Sequence, residues 1–152
     1  SVGEILGPIP AWRDKPIFVV KRSDAMLEQL NSMNDRLADP ESQREQQPSY
    51  AQNETRSIRP DVLVLVGLCT HLSCSPKFRP AIQPEVYDEE WIGGFFCPCH
   101  GSTFDIAGEV LTPPATRALD SYPVRIENGM IRVNIVRSEK RLQNGKPRSV
   151  KV

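Results

Sequence analysis

The chain has 152 residues, of which 39% are hydrophobic and 7% aromatic, and its 19 basic residues balance its 19 acidic ones. This length fits one domain with a buried core, and a net charge of zero gives no overall field that would attract nucleic acid. The 14 prolines and 9 glycines predict many turns and short elements, which favours β structure over a helical bundle. No stretch approaches the ~20 apolar residues that a membrane helix requires.

The first elements change from a strand to a helix. Residues 15–22 are an apolar, partly β-branched run bounded by charge, which predicts a strand. Over residues 24–38 apolar side chains recur at helical spacing, namely Met26, Leu30, Met33 and Leu37. Ser23 or Asp24 can cap the N-terminus of this helix, and we expect its apolar stripe to pack in the core.

Later strands lead into chemically unusual segments. The continuous apolar run at residues 62–66 predicts a strand buried on both faces, and it delivers the chain to Cys69. A shorter strand at residues 95–96 ends on Cys97. Alternating apolar residues flank Asn128-Gly129, which is the strongest short-range signal for a β-hairpin and places one at residues 124–133.

All four cysteines and both histidines lie in two six-residue boxes. The first box, residues 69–74, reads C-T-H-L-S-C, and the second, residues 97–102, reads C-P-C-H-G-S. Such clustering indicates a metal site, a disulfide or both.

Two simple interpretations of the boxes fit poorly. A structural zinc site takes four ligands, usually as C-x2-C or H-x3-H pairs, so zinc would leave two cysteines over and need unusual spacing. Two plain disulfides would not explain why each histidine follows a cysteine by two or three residues. A third interpretation is a 2Fe-2S cluster of mixed ligation, with two thiolates on one iron and two neutral imidazoles on the other. Each box would supply one cysteine and one histidine, namely Cys69 with His71 and Cys97 with His100.

The paired boxes resemble the Rieske iron–sulfur subunit of the cytochrome bc complex, the quinol:cytochrome c oxidoreductase, in its bacterial form. The resemblance covers most of residues 12–135. It extends to four stretches outside the boxes, at residues 12–18, 46–48, 56–60 and 93–96.

The resemblance implies an all-β fold with one helix, built from stacked antiparallel sheets with an inserted cluster-binding subdomain. The base domain would comprise residues 1–66 and 122–152, and the cluster-binding subdomain residues 67–121. Family members carry an N-terminal membrane helix, so we expect this chain to be the soluble head of an anchored protein. The basic tail from Arg137 has no counterpart in the resemblance.

The resemblance also implies roles for residues beside the ligands. Cys74 and Cys99 would form a disulfide between the boxes, a closure that the loop-entropy estimate values at roughly 3 kcal/mol. Ser102 matches a serine that donates a hydrogen bond to a cluster sulfur. Phe104 stands where many members have a tyrosine, which predicts a lower reduction potential. Ser73 replaces the usual glycine, which implies mild strain if that position needs a positive φ.

Surface roles follow from the same resemblance. His100 would hydrogen-bond quinol, and His71 would be the second exposed imidazole, so these two are the candidate catalytic residues. Leu72 corresponds to an apolar shield on the docking surface. Pro113 and Pro114 correspond to a proline loop over the cluster, although ordinary turn chemistry explains them equally well.

The predicted function is transfer of one electron from quinol to a cytochrome c-type haem, with a proton taken up on a ligand histidine. Neutral imidazoles make a cluster less negative, which gives potentials of roughly −150 to +300 mV against about −400 mV for plant-type ferredoxins. The chain would be the iron–sulfur subunit of an oxidoreductase, and the head alone an electron carrier.

The partners would be quinol and the cytochrome b and cytochrome c-type subunits, at the periplasmic face of the bacterial inner membrane. A Rieske-type ferredoxin is the main alternative, but it would be expected to lack Cys74 and Cys99. The small Rieske subunit of a molybdenum oxidase, such as arsenite oxidase, can carry a similar disulfide. The four stretches outside the boxes argue against that alternative.

Overall fold

A computed structural model of the protein describes residues 9–12, 15–133 and 149–150. Residues 13–14 and the basic tail from Arg137 to residue 148 lie outside the described ranges. Regular elements follow in chain order: β1 (Ile9–Trp12), β2 (Lys15–Lys21), α1 (Asp24–Gln29), β3 (Val62–Val66), β4 (Lys77–Arg79), β5 (Gly94–Phe96), β6 (Thr103–Phe104), β7 (Val110–Thr112), β8 (Val124–Glu127), β9 (Met130–Val133) and β10 (Ser149–Val150).

The described strands form three antiparallel sheets. The strand orders are β1-β2-β3, β10-β9-β8 and β4-β5-β6-β7. Together with one short α-helix, this confirms the predicted fold class of mostly β structure. All four strands of the last sheet lie between residues 67 and 121, although the division into a base and an inserted subdomain stays a prediction.

The paired strands β2 and β3 were predictable from their apolar runs. β2 and β3 pair over five residues, from Ile17 opposite Val66 to Lys21 opposite Val62. The first four residues of β3 are buried, as expected for a strand covered on both faces. In the hairpin of β8 and β9, Asn128 and Gly129 both have positive φ, which is the requirement of a type I′ turn.

The predicted helix is shorter than expected. Ser23 caps α1 by accepting a hydrogen bond from the Met26 amide, as predicted, but the α-helix ends at Gln29. A 3-10 helix continues from Leu30 to Arg36. Leu30 and Met33 are buried, so the apolar stripe packs inward although the tighter helix changes its period.

The four-stranded sheet brings the second box to the end of β5. A strand at β4 was not predicted, because Lys77–Arg79 shows no apolar alternation and is ordered by pairing with β5. Gly94 has a φ of 151°, and a Cβ atom there would overlap the Phe104 carbonyl oxygen of β6. Only glycine therefore fits at this close approach of two strands.

Arg56 is a fully buried cation beneath the loops that follow β6 and β7. Its guanidinium donates hydrogen bonds to the carbonyl oxygens of Ala107 and Leu119, at 3.1 and 3.0 Å, and to the Ser42 hydroxyl at 3.0 Å. Arg56 and Ser42 both adopt a positive φ. Since neither residue is glycine, the fold accepts backbone strain at both positions to place this guanidinium.

Arg22 forms a second buried contact of the same kind. Its guanidinium donates to the carbonyl oxygens of Thr55 and Ile106, at 2.8 and 3.2 Å, and to the Ser57 hydroxyl at 2.7 Å. Arg22 therefore ties the end of β2 to the turn after β6.

Two buried carboxyl groups lie near these guanidinium groups. Asp105 accepts hydrogen bonds from the amides of Ala107 and Glu109, yet its burial raises its pKa to about 6. Burial likewise raises the pKa of Glu109 to about 7. Their attraction to the buried arginines acts in the opposite direction and holds the network together.

Replacing Arg56 by methionine should destabilise the fold by about 3 kcal/mol or more, because it leaves buried carbonyl and carboxyl groups without a cation. Denaturant unfolding measures this loss. Arg59→Met is the matched control, since Arg59 pairs with Asp61 at the surface and should cost less than about 1 kcal/mol. Equal losses in the two variants would contradict the structural role of Arg56.

Glu109→Gln should flatten the pH dependence of stability. Folding raises the pKa of Glu109 from its ordinary 4.5 to about 7, so the folded state binds more protons across that window. The contribution of Glu109 therefore lowers the free energy of unfolding as pH rises from about 4.5 to about 7.

Unfolding measured across that window should show a smaller decline in Glu109→Gln than in the unsubstituted protein. Asp105 contributes in the same direction, so some decline remains. The exposed Glu41→Gln serves as the control and should reproduce the unsubstituted curve. A decline that Glu109→Gln leaves unaltered would argue against the raised pKa.

Candidate metal centre

The first box is a loop closed by its own backbone. The Cys69 amide donates to the Cys74 carbonyl oxygen at 2.7 Å, and the Ser73 amide donates to the Cys69 carbonyl oxygen at 2.9 Å. These two hydrogen bonds turn residues 70–73 outward while Cys69 stays buried. The outward-turned part of the first box therefore contains His71 and Leu72.

The second box repeats the same hydrogen bonds. The Cys97 amide donates to the Ser102 carbonyl oxygen at 2.8 Å, and the Gly101 amide donates to the Cys97 carbonyl oxygen at 3.0 Å. The fifth residue of each box has a positive φ, 65° at Ser73 and 85° at Gly101. The condition under which a serine at position 73 implies mild strain, a positive φ, is therefore met.

The structure arranges the four predicted ligands as a pair of thiols and a pair of imidazoles. Cys69 and Cys97 are free thiols, 3% and 1% exposed, within the apolar core that includes Phe95 and Phe104. The rings of His71 and His100 are 4.8 Å apart between centroids and nearly perpendicular. The two imidazoles are therefore in contact with each other, and the two buried thiols lie close enough to interact.

One atom tests whether these residues fit a metal cluster. The Nδ1 atom of His71 is buried and has no hydrogen-bond partner among the described residues. A buried polar atom without a partner is costly in a protein that binds nothing there. Coordination of a metal would satisfy this nitrogen, so the donor set fits a centre with sulfur and nitrogen ligands.

The remaining cysteines join the two loops. Cys74 and Cys99 form a disulfide, the pairing that the resemblance implied. The sulfur atoms of Cys74, Cys97 and Cys99 lie within 4.8 Å of one another. Because two of these sulfurs are bonded to each other, this group is the disulfide beside the free thiol of Cys97 rather than a separate metal site.

Ser102 lies directly beside the Cys69 sulfur. Burial raises the pKa of the Cys69 thiol, whereas hydrogen bonds from the His71 amide and the Ser102 side chain lower it. Ser102 is fully buried, and its Oγ also accepts a hydrogen bond from the Ala115 amide at 2.9 Å. Its role as a hydrogen-bond donor to a cluster sulfur stays a prediction.

The proline loop reaches the core through the residue that follows its two prolines. Pro113 is exposed and Pro114 half-buried, whereas Ala115 packs in the core with Cys69 and Cys97. The role of the two prolines as a cover stays a prediction. Sequence reasoning missed Ala115 because its contribution to the site comes from a backbone amide and a methyl group, which carry no chemical signature.

Thr70 is a second residue that sequence reasoning missed. Its hydroxyl donates to the Arg117 carbonyl oxygen at 2.7 Å, which fixes the first box to the segment after the proline loop. A threonine beside a predicted ligand is too common to be a signal by itself.

The tip of the two loops is exposed and partly apolar. Leu72 is a large apolar residue, yet it is 65% exposed. Pro98, Cys99 and His100 are exposed as well. The Cys69 and Cys97 sulfurs thus lie inside the protein, while the His100 imidazole and the Leu72 side chain face outward. His71, which was expected to be a second exposed imidazole, is half-buried.

The chain was then compared with known proteins. The family described as "Rieske [2Fe-2S] domain" matches residues 44–123. The ubiquinol-cytochrome c reductase iron-sulfur subunit of Allochromatium vinosum is 54% identical over 99 residues, which cover 65% of this chain and 48% of that protein. The mitochondrial cytochrome b-c1 complex subunit Rieske of Solanum tuberosum is 37% identical over 123 residues, covering 79% of this chain and 39% of that protein.

The chain spans less than half the length of these two relatives. Among solved structures, a chain of a hyperthermophilic respiratory Complex III aligns with 86% of this chain and 66% of its own length, with a TM-score of 0.51 and 21% identity. That likeness supports the fold. Within the described residues, no helix has the length and apolar character needed to cross a membrane.

Ser73→Gly should stabilise the protein by about 0.5–1 kcal/mol, because glycine adopts a positive φ without the penalty of a side chain. Thermal unfolding of the two proteins measures the difference. Gly101→Ser places the opposite change at the equivalent position of the second box and should destabilise by a similar amount. A loss of stability in Ser73→Gly would show that the serine side chain compensates for its backbone.

Proposed function

The chain belongs to the Rieske [2Fe-2S] domain family, and from this premise we propose that it takes one electron and a proton from quinol and passes the electron to a cytochrome c-type haem. The observation that carries the proposal is a pair of buried thiols and a pair of contacting imidazoles on two loops that the Cys74–Cys99 disulfide joins. A ferredoxin with the same four ligands would be expected to lack that disulfide.

The proposed ligands divide by donor atom, into two sulfurs and two nitrogens. Cys69 and Cys97 would hold one iron, and His71 and His100 the other. When bound, such a cluster gains and loses single electrons. The thiol sulfurs lie in apolar surroundings, which exclude water from that side, and the orphaned Nδ1 of His71 gives one imidazole a buried nitrogen for coordination.

Proton uptake belongs to the exposed side of the same site. An imidazole bound to iron through one nitrogen keeps the other free to hold a proton. His100 is exposed, so its free nitrogen could accept a hydrogen bond from a quinol hydroxyl. An electron added nearby strengthens the hold of this nitrogen on a proton, which couples the two transfers.

The exposed Leu72 supports docking at the same tip. It follows His71 in the chain and is 65% exposed, so an apolar partner surface could cover it and exclude water around the imidazoles. The relatives' names suggest that cytochrome b and cytochrome c-type subunits of a bc complex supply such surfaces. The Cys74–Cys99 disulfide favours an oxidising compartment, and we propose the periplasmic face of the membrane.

The proposal predicts a clearly positive midpoint potential that falls as pH rises from neutral to alkaline values. The reason is that reduction makes an exposed ligand imidazole hold its proton more tightly. Film voltammetry of the cluster-loaded protein across this pH range measures both quantities. A low potential that is independent of pH near neutrality would favour a ferredoxin, and the absence of any redox wave would favour zinc.

Phe104→Tyr should raise the midpoint potential. Phe104 is fully buried and packs in the same core as Cys69 and Cys97. A hydroxyl on this ring can donate a hydrogen bond to a cluster sulfur, which stabilises the more negative reduced state. Voltammetry under identical conditions compares the two proteins.

Phe78→Tyr is the matched control, because Phe78 of β4 packs against Phe95 of β5 and is only partly buried. It adds the same hydroxyl outside the ligand shell and should leave the potential unchanged. No change, or a fall, in Phe104→Tyr would exclude the missing hydroxyl as a cause of a lower potential.

A further inference from the structure

The Ser102 hydroxyl has two partners with different roles. Its oxygen accepts a hydrogen bond from the Ala115 amide at 2.9 Å, and the side chain also hydrogen-bonds the Cys69 sulfur. A hydroxyl carries one hydrogen and two lone pairs. Because the amide can only donate, the Ser102 hydrogen is left to point at the sulfur.

The Ala115 amide is fixed from both sides of its loop. Before it, the Thr112 hydroxyl forms a hydrogen bond with Thr103 at 2.8 Å. After it, the Leu119 amide donates to the Gly108 carbonyl oxygen at 2.8 Å, and the buried Arg56 holds the Leu119 carbonyl oxygen. The Ala115 side chain is itself 3% exposed. This amide therefore has little freedom to leave Ser102.

We propose that Ala115 is a positioning residue whose backbone amide, acting through the Ser102 hydroxyl, raises the reduction potential of the centre. A hydroxyl that accepts a hydrogen bond becomes a stronger donor, because the two bonds polarise one another. A stronger hydrogen bond to a ligand sulfur stabilises the more negative reduced state. The inference rests on the ligand set proposed above.

The amide can be removed without changing the side chain. Nonsense suppression with lactic acid at position 115 replaces the amide by an ester, which keeps the methyl group and loses the N–H donor. The midpoint potential of the cluster-loaded protein is then measured with and without this ester, in the unsubstituted background and in Ser102→Ala. This design is a double-mutant cycle.

The ester should lower the potential when Ser102 is present and should have no further effect in Ser102→Ala. A potential that the ester leaves unchanged, or shifts equally in both backgrounds, would overturn the relay through Ser102. The EPR spectrum of the reduced protein distinguishes a failure of the proposed Ala115 role from a failure of the proposed ligand set. A mixed-ligand cluster signal without the expected shift contradicts only the role of Ala115, whereas no such signal in the unsubstituted protein contradicts the ligand set and with it this role.

Ala115→Gly provides an independent check that does not need the ester. It keeps the amide but removes the buried methyl group, so it should lower the free energy of unfolding and lower the potential by less than Ser102→Ala does. A fall in potential as large as that of Ser102→Ala would show that the methyl group, rather than the amide, sets the potential.

Discussion

The Cys74–Cys99 disulfide joins two loops that lie 25 residues apart in the chain and carry all four candidate ligands. Each loop closes on itself through the same pair of backbone hydrogen bonds, so each one alone fixes only one cysteine and one histidine. A centre with four ligands requires both loops to hold a constant separation. The disulfide supplies that constraint at the exposed tip, directly beside the Cys97 sulfur.

A second constraint acts beneath the loops, where cations are buried. The guanidinium groups of Arg22 and Arg56 hold backbone carbonyls of the turn after β6 and of the segment that follows the proline loop. Buried charges are expensive unless well paired, so their presence indicates that geometry is favoured here over stability. The same segment carries the Ala115 amide, which connects this buried network to Ser102 and the ligand sulfur.

The sequence revealed the local features best. The Asn128-Gly129 turn and the buried strand β3 can be predicted from neighbouring residues alone. The four cysteines and two histidines of the boxes can be recognised by their spacing. β4 was missed because pairing with β5, rather than its own composition, orders it. The α-helix predicted over residues 24–38 was too long, because apolar spacing alone does not distinguish an α-helix from a 3-10 continuation after Gln29. The Ala115 amide and the buried positions of Arg22 and Arg56 depend on tertiary contacts that no local pattern encodes.

The proposed centre requires that the imidazoles of His71 and His100 both hold the same iron. Pulsed EPR of the reduced, cluster-loaded protein, prepared with 15N-labelled histidine, tests it most directly. We expect two distinct, strongly coupled histidine nitrogens. A variant in which His71 or His100 is substituted, and which still keeps its cluster, should lose one of them. A cluster with no strongly coupled histidine nitrogen would contradict mixed ligation, and the account of proton-coupled electron transfer would fall with it.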